Sequence, residues 1–358
     1  MNRFEQSKKV ILSHQDVSGA FIASPTFDHY KYGWLRDGTF TAYSMDLAGE
    51  QHSAERFYRW AARTIEQYRT KAEQAIQIPS RDHLLHARYT VDGYEVEGEW
   101  GTYQLDGYGT WLWGLNQHIS KWQNETMKNE LFPTANLITD YLLNTWSLPN
   151  FDCWEENGEM VHPSTIAAVY GGLQAIKYWF DDQRKQRIEK ELRRMKNYVL
   201  EHCVKNNAIC KSNQIDQPDA SLLWLHFPFQ MFDPQDPIFQ QTVTNIESQL
   251  LTVGGVHRYP KDVYYGGGQW ILLTAWLGCH YAETRQLQKA KELLKWVEAQ
   301  FTDEGYLPEQ VTYHLLAPDH YAEWIKKWGS PACPLLWSHA MHIILLERLE
   351  KAKKKEEQ

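Results

Sequence analysis

Apolar residues return at the three-and-four spacing of an α-helix in segment after segment of this chain, and the connections between those segments alternate between very short and very long. Phe57, Trp60, Ala61, Thr64, Ile65 and Tyr68 make one such stripe, and Trp337, Met341, Ile344, Leu345 and Leu349 make another. Alternation suited to strands is scarce. The pattern predicts twelve helices, near 4–14, 37–48, 51–72, 105–120, 127–145, 163–179, 182–205, 218–228, 236–250, 268–283, 285–302 and 334–351. Short polar links such as Asp181-Asp182 and Thr284-Arg285 join one set of neighbours, while loops rich in glycine, proline and aromatics join the other. Such a chain is all-α, and its connections describe a double ring of antiparallel helix pairs with a site built from the long loops.

Those loops, 15–36, 76–104, 146–162, 207–217, 251–267 and 303–333, hold nearly all the unusual residues. Loops beyond about a dozen residues inside a compact domain usually carry function. Within one of them, Tyr89 to Tyr94 reads as a small hairpin around Asp92-Gly93. No linker divides the chain, so residues 1–350 are expected to form one domain and 351–358 a frayed or disordered tail.

The net charge of -8 is modest, and lysines and arginines gather at helix ends rather than on one basic face, which argues against nucleic acid as a partner. Five cysteines, Cys153, Cys203, Cys210, Cys279 and Cys333, are odd in number and lack CxxC spacing, so neither a disulfide framework nor a zinc site is indicated and a reducing cytoplasm fits best. The charged N-terminus does not read as a signal peptide, and no apolar run reaches membrane-spanning length, so no membrane partner is expected. The histidines show no metal-ligand spacing; His162, just after an acidic loop, is the one placed to orient a pocket group. Oligomeric state is left open.

Chemistry concentrates in Phe151-Asp152-Cys153-Trp154-Glu155-Glu156-Asn157-Gly158 and, far downstream, Leu307-Pro308-Glu309-Gln310. Two carboxyl groups facing each other across a pocket are what glycosidic cleavage needs: one holds a proton for the leaving oxygen, and the other is ionised to activate water or attack the sugar. Trp154 beside Glu155 supplies an apolar wall of the kind that raises a carboxyl pKa. Trp34-Leu35-Arg36-Asp37 opens a helix; the pair can fork hydrogen bonds onto sugar hydroxyls or serve as a plain cap and salt bridge. Arg258-Tyr259-Pro260-Lys261-Asp262, continuing through Tyr264, three glycines, Gln269 and Trp270, offers stacking surfaces and hydroxyl-binding groups. Trp111, Trp113, Trp224 and Trp276 lie inside helical segments and read as core, whereas Trp34, Trp154 and Trp270 lie at loop ends, open to stacking.

These motifs, in this order and spacing, resemble the glucoamylase-type family, glycoside hydrolase family 15, over roughly residues 16–345. The resemblance implies an (α/α)6 barrel and release of glucose from non-reducing ends with inversion, with Glu155 as general acid and Glu309 as general base, their carboxyl groups about 6.5–9.5 Å apart. It implies that Arg36, Asp37 and Arg258 grip the terminal glucose, that Glu156 serves the next subsite, that Asp152 tunes the acid, and that Trp154 is the family's tryptophan. Gln104-Leu105-Asp106-Gly107-Tyr108-Gly109 resembles a further pocket motif, giving Asp106 a binding role. Leaving-group contacts are expected from Glu156, Asp262 and aromatics of the 303–333 loop, including Tyr313. Short α-gluco-oligosaccharides of the maltose or isomaltose type are the expected substrates, with no metal and no cofactor. The alternative is hydrolysis of α,α-trehalose or another sugar chemistry on the same barrel.

Overall fold

The computed structural model describes residues 2–98 and 100–356. Along them run α1 (Arg3–Ser13), α2 (Leu35–Leu47), α3 (Gln51–Gln67), α4 (Arg69–Gln77), α5 (Asp106–Trp122), α6 (Glu125–Thr145), α7 (Pro163–Ile176), α8 (Asp182–His202), α9 (Pro237–Leu250), α10 (Ile271–Glu283), α11 (Leu287–Ala299), α12 (Tyr321–Trp328) and α13 (Leu336–Glu356). Local chemistry starts several of these helices. Asn2, Asn124, Asp181 and Asp236 each accept a backbone N–H of the first turn, and Pro237 sits where its missing N–H costs nothing.

Six elements contact one another in sequence and close a ring: α2, α5, α7, the 3-10 turn Ala220–Leu225, α10 and α13, which returns to α2. Outside them, α1 leans on α13, α3 on α2, α6 on α5, α8 on α7, α9 on the 3-10 turn, and α11 on α10 and α13. This is the (α/α)6 barrel. Burial separates the two rings as the packing requires: α10 is buried from Ile271 through Ala282, whereas α8 buries the stripe Ile188, Glu191, Leu192, Met195 and Val199. The closest inner contact is α5 on α7, where Gly109 and Gly172 meet backbone to backbone and a Cβ on either would collide with the other helix. On the barrel axis the rings of Phe40, Trp224, Trp276 and Trp337 pack on one another, with centroids 5.0 Å apart for Trp224–Trp276 and 5.4 Å for Phe40–Trp337.

Four expectations need correcting. The helix predicted over 218–228 is a 3-10 turn of six residues. Asp219 starts it by accepting the Ser221 N–H, and Pro228 both lacks an N–H and restricts Phe227, so no α-helix continues. The segment 51–72 breaks at Tyr68, whose ring turns in against Tyr89 and whose hydroxyl accepts the Glu95 N–H. Helix α12 lies in a stretch read as loop, although Tyr321, Trp324, Ile325 and Trp328 stand at helical spacing; it is eight residues long, buries none of them outright, and stops at Gly329 with φ 81°. Finally, α13 runs to Glu356 through most of the expected tail, and residues 357 and 358 lie outside the described residues.

Among the described residues eight two-residue strands fasten the long loops: β1 (Gly33–Trp34), β2 (Arg88–Tyr89), β3 (Val204–Lys205), β4 (Ala208–Ile209), β5 (Leu251–Thr252), β6 (Gly255–Val256), β7 (Gln269–Trp270) and β8 (Gln310–Val311). β1 pairs with β2, and β5 to β8 form one antiparallel sheet in sequence order. The expected turn at Asp92-Gly93 is present, with Gly93 at φ 88°. Among the described residues no helix is long and apolar enough to cross a membrane.

Candidate active site

Asp152 templates the loop that carries Glu155. Its Oδ1 accepts the N–H of Trp154 at 2.9 Å and of Glu156 at 3.0 Å, and its carbonyl accepts the N–H of Glu155 at 2.9 Å. Winding the chain this tightly puts Glu155 at φ 64°, a left-handed conformation that a residue with a Cβ adopts only when its surroundings impose it. The surroundings here are a buried ion cluster. The Lys211 ammonium lies 3.2 Å from Asp152, 3.0 Å from Asp219 and 3.4 Å from Glu156, and 3.7 Å from the centre of the Tyr259 ring. Asp219 also accepts the Trp154 indole N–H. His162 is fully buried and donates from Nε2 to the Asn157 carbonyl at 3.0 Å, holding the far end of the loop.

Two arginines flank the loop. The Arg36 guanidinium donates to Gln104 at 2.8 Å and Asp106 at 2.9 Å, with Asp37 at 3.2 Å and Glu155 at 3.8 Å. Arg258 forks onto Asp262 at 2.8 and 2.5 Å, lies 3.5 Å from Glu156, and is ringed by Trp154, Tyr259, Tyr264 and Trp270. Tyr259 donates its hydroxyl to Glu156. A guanidinium held bidentately and packed by rings keeps one orientation, which is what recognition of sugar hydroxyls requires.

Glu309 enters from the opposite side. It follows Pro308 and precedes β8, whose pairing with β7 joins its loop to that of Trp270. Its carboxylate accepts the Tyr30 hydroxyl at 2.7 Å, and the Tyr264 hydroxyl is 3.2 Å from that of Tyr30. Glu155 in turn accepts the Trp34 indole N–H at 2.8 Å.

Both glutamates open into one cavity of about 210 Å³. That is below the ~300–1,000 Å³ of pockets that take drug-sized ligands and suits one sugar ring with part of a second. Of the residues singled out in the sequence, Trp34, Arg36, Asp37, Trp154, Glu155, Glu156, Arg258, Tyr264, Trp270 and Glu309 line it. Asp106, Asp152 and Asp262 do not. They are buried directly behind it, each bonded to a residue that does line it or to that residue's backbone, so they hold the wall rather than forming it. Tyr313 is 62% exposed and outside the cavity; Trp324 and Trp328 of α12 take the place expected for it. Sequence reasoning also missed Tyr30, Trp100, Lys211 and Asp219. Tyr30, Trp100 and Lys211 did lie in loops marked as functional, but no motif distinguished them there.

The electrostatics are those of two carboxyls taken out of water. Burial pushes Glu155 up to about 7, opposed by Arg36, Arg88 and the Trp34 N–H. Burial pushes Glu309 up to about 7 as well, opposed by Tyr30, Arg258 and Gln310. Asp37 is lifted to about 6 by the same desolvation, with Arg36 pulling the other way. Near neutral pH such a pair can hold one proton between its members. Among the described residues no group of three His, Cys, Asp or Glu side chains is placed to share a metal ion.

Comparison with known proteins gives a consistent picture. The model of the family described as glycosyl hydrolases family 15 matches residues 4–302. The isomaltose glucohydrolase of Kribbella flavida is 37% identical over 354 residues, covering 96% of this chain and 91% of that protein. Trehalase 1 of Sulfolobus acidocaldarius is 24% identical over 289 residues, 74% of this chain and 48% of that protein. A glycosidase variant solved in complex with glucose superposes with a TM-score of 0.93 at 36% identity, covering 97% of this chain and 96% of that one.

Proposed function

The chain belongs to glycosyl hydrolases family 15, and from that premise we propose that it hydrolyses short α-gluco-oligosaccharides of the isomaltose type from the non-reducing end with inversion. The observation that carries this is the pair of glutamates, Glu309 buried and Glu155 partly buried, both with raised carboxyl pKa, that line one cavity of monosaccharide scale. The terminal glucose sits against Trp34, Arg36, Asp37 and Arg258. Glu155 gives its proton to the glycosidic oxygen as the bond to the anomeric carbon breaks. Glu309 takes a proton from a water that attacks that carbon from the opposite face, so β-glucose forms first. At the end Glu155 is ionised and Glu309 protonated, and exchange with solvent restores the starting state. The extensive identity with an isomaltose glucohydrolase favours the α-1,6 linkage. Five free cysteines suit a cytoplasmic setting, which is part of the same proposal.

The mouth of the pocket supports a short substrate. Trp100, from a loop, and Trp328, from the end of α12, approach to a ring separation of 4.7 Å, with His29 against both and Trp324 packed on Trp328. This aromatic rim covers the region just beyond the first sugar. On a panel of α-1,4, α-1,6 and α,α-1,1 disaccharides and their longer homologues, isomaltose should give the highest kcat/KM, and its first product should appear by NMR as the β-anomer. Trp328→Ala should lower kcat/KM for the disaccharide about two- to tenfold, the worth of an aromatic face, and narrow the gap to the tetrasaccharide. α,α-Trehalose as the best substrate would favour the reading suggested by the trehalase likeness; specificity constants rising steadily with chain length would overturn the short-substrate reading.

The pH profile follows from the pair. Because each carboxyl is raised to about 7 and each repels the other's charge, protons leave in two steps that belong to the pair rather than to either residue. Below both steps Glu309 is protonated and cannot serve as base; above both, Glu155 has no proton to give. A bell with its maximum near pH 7 is expected for kcat/KM, measured from about pH 4 to 10. A plateau extending into alkali would remove Glu155 from the acid role.

A further inference from the structure

The backbone that presents Glu309 is fully accounted for. The Leu335 N–H donates to the Leu307 carbonyl, the Ser338 hydroxyl to the Pro308 carbonyl, the Glu309 N–H to Ala332, and the Ile271 N–H to the Glu309 carbonyl. The remaining group, the Leu307 N–H, donates to Nε2 of His339 on α13 at 2.9 Å. Of all these partners, only the imidazole nitrogen can change from acceptor to donor by moving a proton. Its role is set elsewhere, in a cluster of Ser7, His339 and His342 with no solvent exposure.

The direction of every hydrogen bond in that cluster follows from the first. Leu307 supplies a proton, so Nε2 of His339 carries none and its Nδ1–H points at the Ser7 hydroxyl 2.9 Å away. Ser7 then directs its single hydrogen to Nδ1 of His342, also at 2.9 Å, which leaves the Nε2–H of His342 facing Glu298 at 3.5 Å. Both rings are neutral in this arrangement. Burial pushes His339 well below the usual histidine range and lowers His342, despite the Glu298 carboxylate, so the neutral forms persist at ordinary pH. The first helix reaches the same loop again through Gln6, whose amide donates to the Gly305 carbonyl at 3.2 Å.

We infer that His339 is a positioning residue for Glu309, acting through the Leu307 amide, and that Ser7 on α1 fixes the tautomer in which it can do so. The inference rests on the reading of Glu309 as general base. Moving that carboxylate relative to the attacking water changes turnover and leaves the sugar-binding wall of Arg36, Asp37 and Arg258 in place.

The test compares His339→Gln, which keeps an acceptor near the Nε2 position, with His339→Phe, which keeps the ring and loses the acceptor. With isomaltose, or whichever disaccharide proves best, the Phe variant should lose about ten- to a hundredfold in kcat, the cost of an ångström-scale misplacement, with KM within about twofold of wild type. The Gln variant should stay within a few-fold of wild type. Ser7→Ala, which removes one atom from α1, should lower kcat several-fold at unchanged KM, and it decides the matter if the Phe variant does not fold. Equal kcat in the Gln and Phe proteins, an effect confined to KM, or wild-type kcat in Ser7→Ala would overturn the inference. Wild-type turnover in Glu309→Gln would instead remove the base assignment on which it stands, so the two failures are distinguishable.

Discussion

Glu155→Gln and Glu309→Gln proteins are each expected to turn over on the order of 10²–10⁴-fold more slowly than wild type, the usual worth of a positioned proton-transfer group, while still binding glucose. The substitutions preserve shape and keep an acceptor for the Trp34 indole at position 155 and for the Tyr30 hydroxyl at position 309. They remove only the ability to give or take a proton. A second substrate separates the roles. A glucoside whose leaving group departs without protonation should restore much of the rate of Glu155→Gln, because the missing step is no longer needed. It should do nothing comparable for Glu309→Gln, where water still has no base. Initial rates on both substrates, with glucose affinity from calorimetry, provide the check. Near-wild-type turnover in Glu309→Gln would end the proposed mechanism, and near-wild-type turnover in Glu155→Gln would move the acid role, first to Glu156.

Lys211→Met should cost about 3–5 kcal/mol of folding stability, the range for removing one partner of a buried ion pair. Lys211 is 3% exposed, and its charge is shared among three carboxylates. Without it Asp152 and Asp219 lose the one ammonium or guanidinium that contacts them among the described residues. Urea unfolding should show the loss near neutral pH, and a compensating Asp219→Asn should recover part of it. The sign with pH is definite. Burial alone would raise the Asp152 carboxyl, but Lys211 and His162 outweigh it and hold the group below its usual value. Stability from this contact is therefore present above the ordinary carboxylate range and lost as pH falls through the lowered folded value, so variant and wild type should converge in acid. Equal stability at neutral pH would show that solvent reaches the cluster. Activity should fall too, since Asp152 shapes the turn that aims Glu155.

The barrel was legible because its evidence is local and repeated. Helical stripes, caps and alternating loop lengths recur along the chain, and each added segment constrains the same answer. What the pattern missed was decided by contacts far away in sequence. Tyr68 leaves its helix because Tyr89 and Glu95 hold it; α12 is the exception, since Tyr321, Trp324, Ile325 and Trp328 do stand at helical spacing and form the half-buried face whose tryptophans rest on Tyr264 and Trp100. The same division runs through the site. Trp34, Arg36, Glu155 and Glu309 stood in dense motifs. Lys211 is one lysine in a polar loop, and nothing near it announces that Asp152, Glu156 and Asp219 converge there. Asp106, Asp152 and Asp262 were legible as acidic and important, but whether each faces sugar or steadies a neighbour depends on which way the wall turns.

The ring of inner helices closes between α2 and α13, elements separated by nearly the whole length of the chain. During synthesis the acid loop and its arginine can be complete while the opposite side of the pocket does not yet exist. Leu307 and Glu309 obtain their fixed orientation only when α13 inserts between α2 and α10, and α1, made first, must wait for it. Such long-range closure is slow compared with local helix pairing. A partly made chain of this protein therefore exposes an unsealed aromatic seam along Phe40 and Trp276, and catalysis begins as a single late event rather than by degrees.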